Sequence, residues 1–223
     1  MKFKIDLKIF LFAILFYFTK QIQIYAILMI FALIHELGHL IAGLVLGLKP
    51  NKLEIKPYGF SISFKVMPED YNKKIKNGNL MEAKKIWIAL AGPLTNFFAI
   101  IIVANLHNTN TFLNTVIMYA NILIMLFNLI PIYPLDGGRI LKSILHICLG
   151  KEKAEDYINN ISFIILIIVT FTASIAILVI KNIAIFLIII VLWIMYIKED
   201  IVLKRRKKIC NLVGKTLEIK WNK

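Results

Sequence analysis

Two histidines and a glutamate stand at fixed spacing in Leu33-Ile-His-Glu-Leu-Gly-His-Leu40, an H-E-x-x-H string inside a run of apolar residues. On a helix, positions i and i+4 share a face, so His35 and His39 can hold one divalent metal while Glu36 sits beside it. This pattern suits hydrolysis: two neutral imidazoles as ligands and a carboxylate placed to take a proton from water. From Ile24 to Leu48 the residues are apolar apart from the motif itself. Ionisable groups at membrane depth are costly and mark function by default.

A catalytic zinc has three protein ligands and one open position, so a third ligand is required. The chain contains four histidines, and the other two are His107 and His146. His107 falls on the opposite side of the membrane in the topology below. His146 falls on the correct side but outside a span, where a solvated interfacial histidine is expected. Asp136 is the better candidate, in Asn128-Leu-Ile-Pro-Ile-Tyr-Pro-Leu-Asp-Gly-Gly-Arg139. Pro131 and Pro134 interrupt a helix there, and Gly137-Gly138 permits a sharp turn. Broken backbone at membrane depth is tolerated only inside protein or beside a wet cavity. The alternative is a helix-ending turn with a solvated aspartate; beside an H-E-x-x-H, the ligand reading is favoured.

The elements that must position these residues are membrane spans. The chain has 223 residues, 59% of them hydrophobic, and apolar runs of spanning length place it among polytopic membrane proteins. An all-α fold with six transmembrane helices is expected: Phe3 or Leu7 to Phe18, Ile24–Leu48, Ile86–Leu106, Phe112–Ile130, Ile161–Ile180 and Ile183–Ile197. The first is the shortest; its early lysines resemble a signal peptide, but no small-residue cleavage site follows Phe18. The net charge of +14 is strongly one-sided. Every Lys and Arg except Lys20 and Lys181 falls in the N-terminus, the 49–85 and 139–157 segments or the C-terminal tail. The positive-inside rule makes these regions, and both termini, cytoplasmic.

Lys52 to Val66 alternates apolar and polar residues around Pro57-Tyr58-Gly59, which predicts a small cytoplasmic β-hairpin after the second span. It is either a connector or an open sheet edge that takes an extended peptide by strand addition. Glu69–Lys85 is polar and reads as a surface helix or loop, and Gly138–Gly150 as a short helix lying against the bundle. Residues 1–200 form one membrane domain and 201–223 a basic cytoplasmic tail. Lys204-Arg-Arg-Lys-Lys208 in that tail suits anionic lipid of the bilayer, and no nucleic-acid partner is expected. Cys148 and Cys210 are expected as free thiols.

At these residues the chain resembles the site-2 proteases, intramembrane zinc metalloproteases of the M50 class. His35-Glu-Leu-Gly-His39, Ala91-Gly-Pro-Leu-Thr-Asn96 and the Asn128 to Gly138 string match in order, and the strings are most similar to those of the sporulation branch. The resemblance implies that His35, His39 and Asp136 bind Zn2+, that Glu36 is the catalytic base, and that Asn128 and Pro134 shape the substrate cleft. It implies cleavage of a membrane-associated protein near the cytoplasmic face. In the sporulation branch, that substrate is a sigma-factor precursor, cut in the membrane around the forespore of a bacterial cell. The family also leaves room for inhibitory membrane partner proteins. Sporulation members often carry a C-terminal pair of CBS motifs, and no CBS domain is expected in the residues after Ile197.

A metal or ion transporter is the main rival class. Transporters spread polar residues along several spans, whereas here they cluster at one depth. An inactive scaffold is the other rival, and the intact motif argues against it.

Overall fold

The computed structural model describes residues 2–5, 14, 17–18, 20, 22–56, 59–65, 75–105, 111–180 and 183–221. Among them are six helices: α1 (Ile22–Val45), α2 (Ile75–Ala104), α3 (Thr111–Leu129), α4 (Asp136–Leu149), α5 (Lys151–Ile180) and α6 (Ile183–Trp221). Four of these contain stretches long and apolar enough to cross a membrane, at Ile22–Val45, Asn79–Ala104, Phe112–Leu129 and Lys151–Val179. The expected span Ile183–Ile197 is helical as the beginning of α6. Most of the first expected span lies outside the described residues.

Burial is inverted relative to a water-soluble protein. Large apolar side chains such as Phe98, Ile102, Leu178 and Val179 point outward, while His35, Glu36, His39, Asn96, Asn121 and Asp136 are buried. Lipid tails are as apolar as leucine, so nothing drives those outer side chains inward. Polar groups, by contrast, gain from leaving hydrocarbon.

The expected all-α character needs correction. A three-stranded sheet accompanies the helices, in the order β1-β2-β3. The hairpin is present as antiparallel β2 (Lys49–Lys56) and β3 (Gly59–Lys65), with a register irregularity between Pro50 and Lys52. Residues Lys2–Ile5 form β1, which pairs in parallel with β2 and places Lys2 opposite Lys52. A span beginning at Phe3 is therefore excluded. The alternation Lys-Phe-Lys-Ile has the two-residue period of a strand, and an available β2 edge captures it. β1 closes that edge, so among the described residues the sheet's unpaired edge belongs to β3. The ring of Phe64 in β3 occupies the space beside Gly43 on α1.

The 69–85 segment, expected as a surface helix or loop, is helical where it is described. From Ile75 onward it is the opening of α2, which continues unbroken through Pro93 to Ala104. Local ties hold this extension against its neighbours. Lys84 Nζ donates to the Leu46 carbonyl at 2.9 Å, and Lys85 Nζ lies 2.6 Å from Glu82 Oε1. His146 is not simply solvated: its Nδ1 stands 3.0 Å from Glu82 Oε1, tying α4 to α2.

The segment between α3 and α4 carries Asp136 and is anchored from beneath. Ile132 and Leu135 are buried with Leu166 of α5 and Leu192 of α6. The Tyr133 N–H donates to Ser162 Oγ at 3.0 Å, and the Tyr133–Pro134 peptide is cis. Lys142 of α4 sits 4.4 Å from the Tyr133 ring centroid and 3.7 Å from Glu155 Oε1. Burial pushes its ammonium below the usual lysine value, and Glu155 opposes that shift. Further out, α6 runs through residue 200 without interruption, and its basic stretch meets α5 through Arg206–Glu155 and Lys207–Asp156.

α1 and α2 cross closely because Gly38 has no side chain. A Cβ there would lie 2.5 Å from Thr95 Cγ2 and 2.9 Å from the Ala91 carbonyl oxygen. The carbonyl belongs to a helix backbone and cannot swing aside. Gly38→Ala should therefore destabilise the fold by about 1–3 kcal/mol, the usual cost of overpacking. Thermal unfolding in detergent micelles checks this; an unchanged midpoint would show that the two helices separate freely.

Candidate metal centre

The H-E-x-x-H string forms a regular part of α1, about 20 Å along the helix from Ile22 and about 15 Å from Val45 at the standard rise. This depth is well inside a bilayer core of about 30 Å. The two imidazoles meet edge to face, with ring centroids 4.8 Å apart and an interplanar angle of 87°. Asp136 arrives from the first residue of α4. Its Oδ2 lies 3.0 Å from His35 Nε2 and 3.1 Å from His39 Nε2, and the two nitrogens are 3.2 Å apart. All three side chains are buried. Among the described residues, this is the group of His, Cys, Asp or Glu side chains able to hold a metal ion, with one ligand atom from each lying within 4.8 Å of the others.

The chemistry of this donor set calls for a cation. His39 Nδ1 lies 2.6 Å from the Ile88 carbonyl oxygen, which can only accept, so Nδ1 carries the proton. In the neutral imidazole, the ligand form, His39 Nε2 then presents a lone pair. It faces an Asp136 oxygen and a second imidazole nitrogen, both rich in electrons. A divalent cation among the three turns mutual repulsion into ligation. The spacings also suit zinc: ligands about 2.0–2.1 Å from a tetrahedral ion stand roughly 3.3 Å apart. The donors fit the ion, three protein ligands being the usual set of a catalytic zinc site.

Local sequence explains the approach of Asp136. A side chain on Gly137 would strike the Leu129 carbonyl, and one on Gly138 would strike the backbone at Ile132 and Tyr133. The two glycines thus let α4 begin directly against the preceding loop. Arg139, one turn further on, places Nη1 3.6 Å from Asp136 Oδ1, leaving Oδ2 for the histidines.

Of the residues expected at the site, His35, His39 and Asp136 are brought together, and Glu36 is buried in the same turn of α1. Asn128 lies near the end of α3 with its Nδ2 donating to the Ile124 carbonyl at 2.9 Å. Pro134 lies in the loop before Asp136. His107 falls outside the described residues, and His146 is held by Glu82. Sequence reasoning left Gly92 without a role. The structure sets its Cα beside both imidazoles: a Cβ would collide with the His39 ring and lie 2.6 Å from His35 Nε2. The signal available in the sequence was a Gly-Pro pair inside an apolar helix, where glycine implies close approach.

Comparisons with known proteins agree with this geometry. Residues 104–169 match the model of Peptidase family M50, a stretch that contains Asp136 but not His35 or His39. A zinc metalloprotease of Methanocaldococcus jannaschii is 31% identical over 144 residues, covering 62% of this chain and 39% of that protein. Stage IV sporulation protein FB of Bacillus subtilis is 25% identical over 140 residues, covering 61% and 45%. The matched region therefore spans less than half the length of either curated relative. The solved site-2 protease from Methanocaldococcus jannaschii shares the fold, with a TM-score of 0.66 over 88% of this chain and 89% of that one, at 23% identity.

Gly92→Ala should displace both imidazoles without removing a ligand. Zinc content measured by atomic absorption is expected to fall from about one ion per chain to a small fraction, as for a site missing a ligand. Retention of full zinc would mean that the imidazoles can be rearranged.

Proposed function

We propose that this chain is a member of peptidase family M50, whose model matches residues 104–169, and an intramembrane zinc metalloendopeptidase that hydrolyses a peptide bond of a membrane-associated protein. The observation that carries this reading is the buried convergence of His35, His39 and Asp136 beside Glu36. These three side chains hold the ion, and Arg139 steadies the free oxygen of Asp136. When bound, zinc supplies Lewis acidity, polarising the scissile carbonyl and making water acidic enough to lose a proton near neutral pH. Glu36 takes that proton as general base and returns it to the departing amine.

Substrate must reach this depth unwound, because a helix hides its peptide carbonyls. The free edge of β3, which adjoins α1 at Gly43, can pair with an extended segment through backbone hydrogen bonds. Asn128 and Pro134 border the approach and shape the cleft. The concentration of Lys and Arg on one side of the spans supports a cytoplasmic position for the sheet and both termini. Water and substrate then enter from that side.

The sporulation protein among the relatives supports a more specific reading, in which the substrate is a sigma-factor precursor. The archaeal metalloprotease among them supports a broader one, a site-2 protease acting on other transmembrane proteins.

Glu36→Gln should keep zinc and lose cleavage by a factor of about 100–10,000, the usual worth of a general base. Asp136→Ala should lose zinc itself, and a chelator should silence the wild-type enzyme until zinc is restored. Gel-based cleavage in proteoliposomes measures both variants; a fully active Glu36→Gln protein would refute the mechanism. Co-expression with the host's sigma-factor precursor is expected to yield the shortened product with wild type and not with Glu36→Gln. If a general membrane substrate is cut while the precursor is not, the broader reading replaces the sporulation one.

A further inference from the structure

The two histidines at the metal centre are held differently. His39 is fixed through Nδ1 by the Ile88 carbonyl at 2.6 Å. His35 directs Nε2 at Asp136 as His39 does, yet its buried Nδ1 has no partner among the described residues. A metal-binding imidazole almost always donates its other N–H to a fixed acceptor, which sets the ring's orientation and its strength as a ligand. An unpaired buried N–H is also costly.

Three further orphaned atoms lie in the same part of the bundle. Asn96 of α2 is fully buried, with neither Nδ2 nor Oδ1 hydrogen bonded. Asn121 of α3 is fully buried as well; its Nδ2 donates to the Ile117 carbonyl at 2.9 Å, but its Oδ1 has no partner. Asn96 follows Gly92 by one turn on the same helix face, about 6 Å further along. Gly92 is the residue whose backbone abuts His35 Nε2. α1 and α2 run in opposite directions, as the pairings His39–Ile88 and His35–Gly92 show. Thr95, next to Asn96 in the chain, packs on Gly38, one turn from His35 on α1. Asn121 lies at a similar depth on α3, counting along each helix from Ala104 and Thr111.

We propose that Asn96 and Asn121 bind an internal water that accepts the Nδ1–H of His35, making Asn96 a positioning residue for the metal-binding imidazole. The hydrogen-bond inventory closes. His35 Nδ1–H and Asn96 Nδ2–H donate to the water's two lone pairs, while Asn96 Oδ1 and Asn121 Oδ1 accept its two protons. Internal waters make two to four such bonds to buried polar groups. The inference gives a role to the last residue of Ala91-Gly-Pro-Leu-Thr-Asn96: Gly92 makes room for the imidazoles, Thr95 packs on Gly38, and Asn96 orients His35. It rests on the metalloprotease reading, since His35 is taken as a ligand.

The test compares full-length wild type with Asn96→Leu and Asn121→Leu in detergent micelles. Zinc affinity is read by competition with a chelator, and kcat and KM are read on a cleavable membrane substrate. Asn96→Leu is expected to weaken zinc binding about 10–100-fold, the usual effect of removing a ligand's hydrogen-bond partner, with KM within about twofold of wild type. Asn121→Leu should shift zinc affinity the same way by less, and the double variant should lose less than the two effects combined, since one water is shared. Unchanged zinc affinity with raised thermal stability would overturn the proposal, marking the amide as a mere burial cost. Unchanged zinc affinity with a raised KM would also overturn it and assign the amide to substrate backbone. A wild type that binds no zinc would instead sink the metalloprotease reading itself. If the variants do not fold, 15N-histidine NMR of wild type decides: magnetisation exchange between His35 Nδ1–H and a bound water supports the proposal, and its absence with the proton visible overturns it.

Discussion

The structure depends on the convergence of three potential metal-ligand atoms at one buried point. Two imidazole nitrogens and a carboxylate oxygen converge within 3.0–3.2 Å in a setting screened from water. In the neutral imidazole, the Ile88 carbonyl commits one of those nitrogens as a lone pair. At low dielectric such a cluster repels itself strongly, and a bound cation reverses the sign. Much of the surrounding fold serves to hold these atoms against each other. The Gly38 crossing brings α2 onto α1, Gly92 leaves the imidazoles their space, and Gly137-Gly138 lets Asp136 approach. The buried Ile132 and Leu135 fix the loop to α5 and α6.

This arrangement sets a polar, metal-binding cluster within apolar spans. The apolar exterior is set by the lipid and does not force the spans together. Small residues do that instead, and they lie where the chemistry is. Packing and the metal-ligand cluster therefore share the same positions, and a Cβ at Gly92 would collide with the His39 ring and His35 Nε2. The sheet and the ionic contacts of Glu82, Lys85 and His146 gather at one end of the bundle, leaving the spans themselves to carry the metal centre.

Much of the site was legible in the chain because helical geometry makes it local. The i, i+4 spacing alone brings His35 and His39 to one face with Glu36 beside them. Asp136 was reachable because prolines and paired glycines announce a broken backbone. The hairpin was visible from alternation. β1 was not, because four alternating residues weigh little until a partner edge exists, and their lysines also suit a signal peptide. The start of α2 at Ile75 was hidden for a similar reason: its polar residues are tied to distant segments by Lys84–Leu46 and Glu82–His146, contacts made across the chain.

The sequence by itself determined which atoms can bind a metal, that they belong in a membrane, and which stretch offers a third candidate ligand. Those properties follow from residue type and from spacing along single elements. Tertiary structure alone decided that Asp136 reaches both histidines with one oxygen and that a backbone carbonyl on α2 sets the tautomer of His39. It also decided that β1 closes one edge of the sheet, and that His35, Asn96 and Asn121 keep polar atoms without a partner among the described residues. Each of these depends on where separate elements cross, and crossing is governed by packing between residues distant in the chain, which no local pattern records.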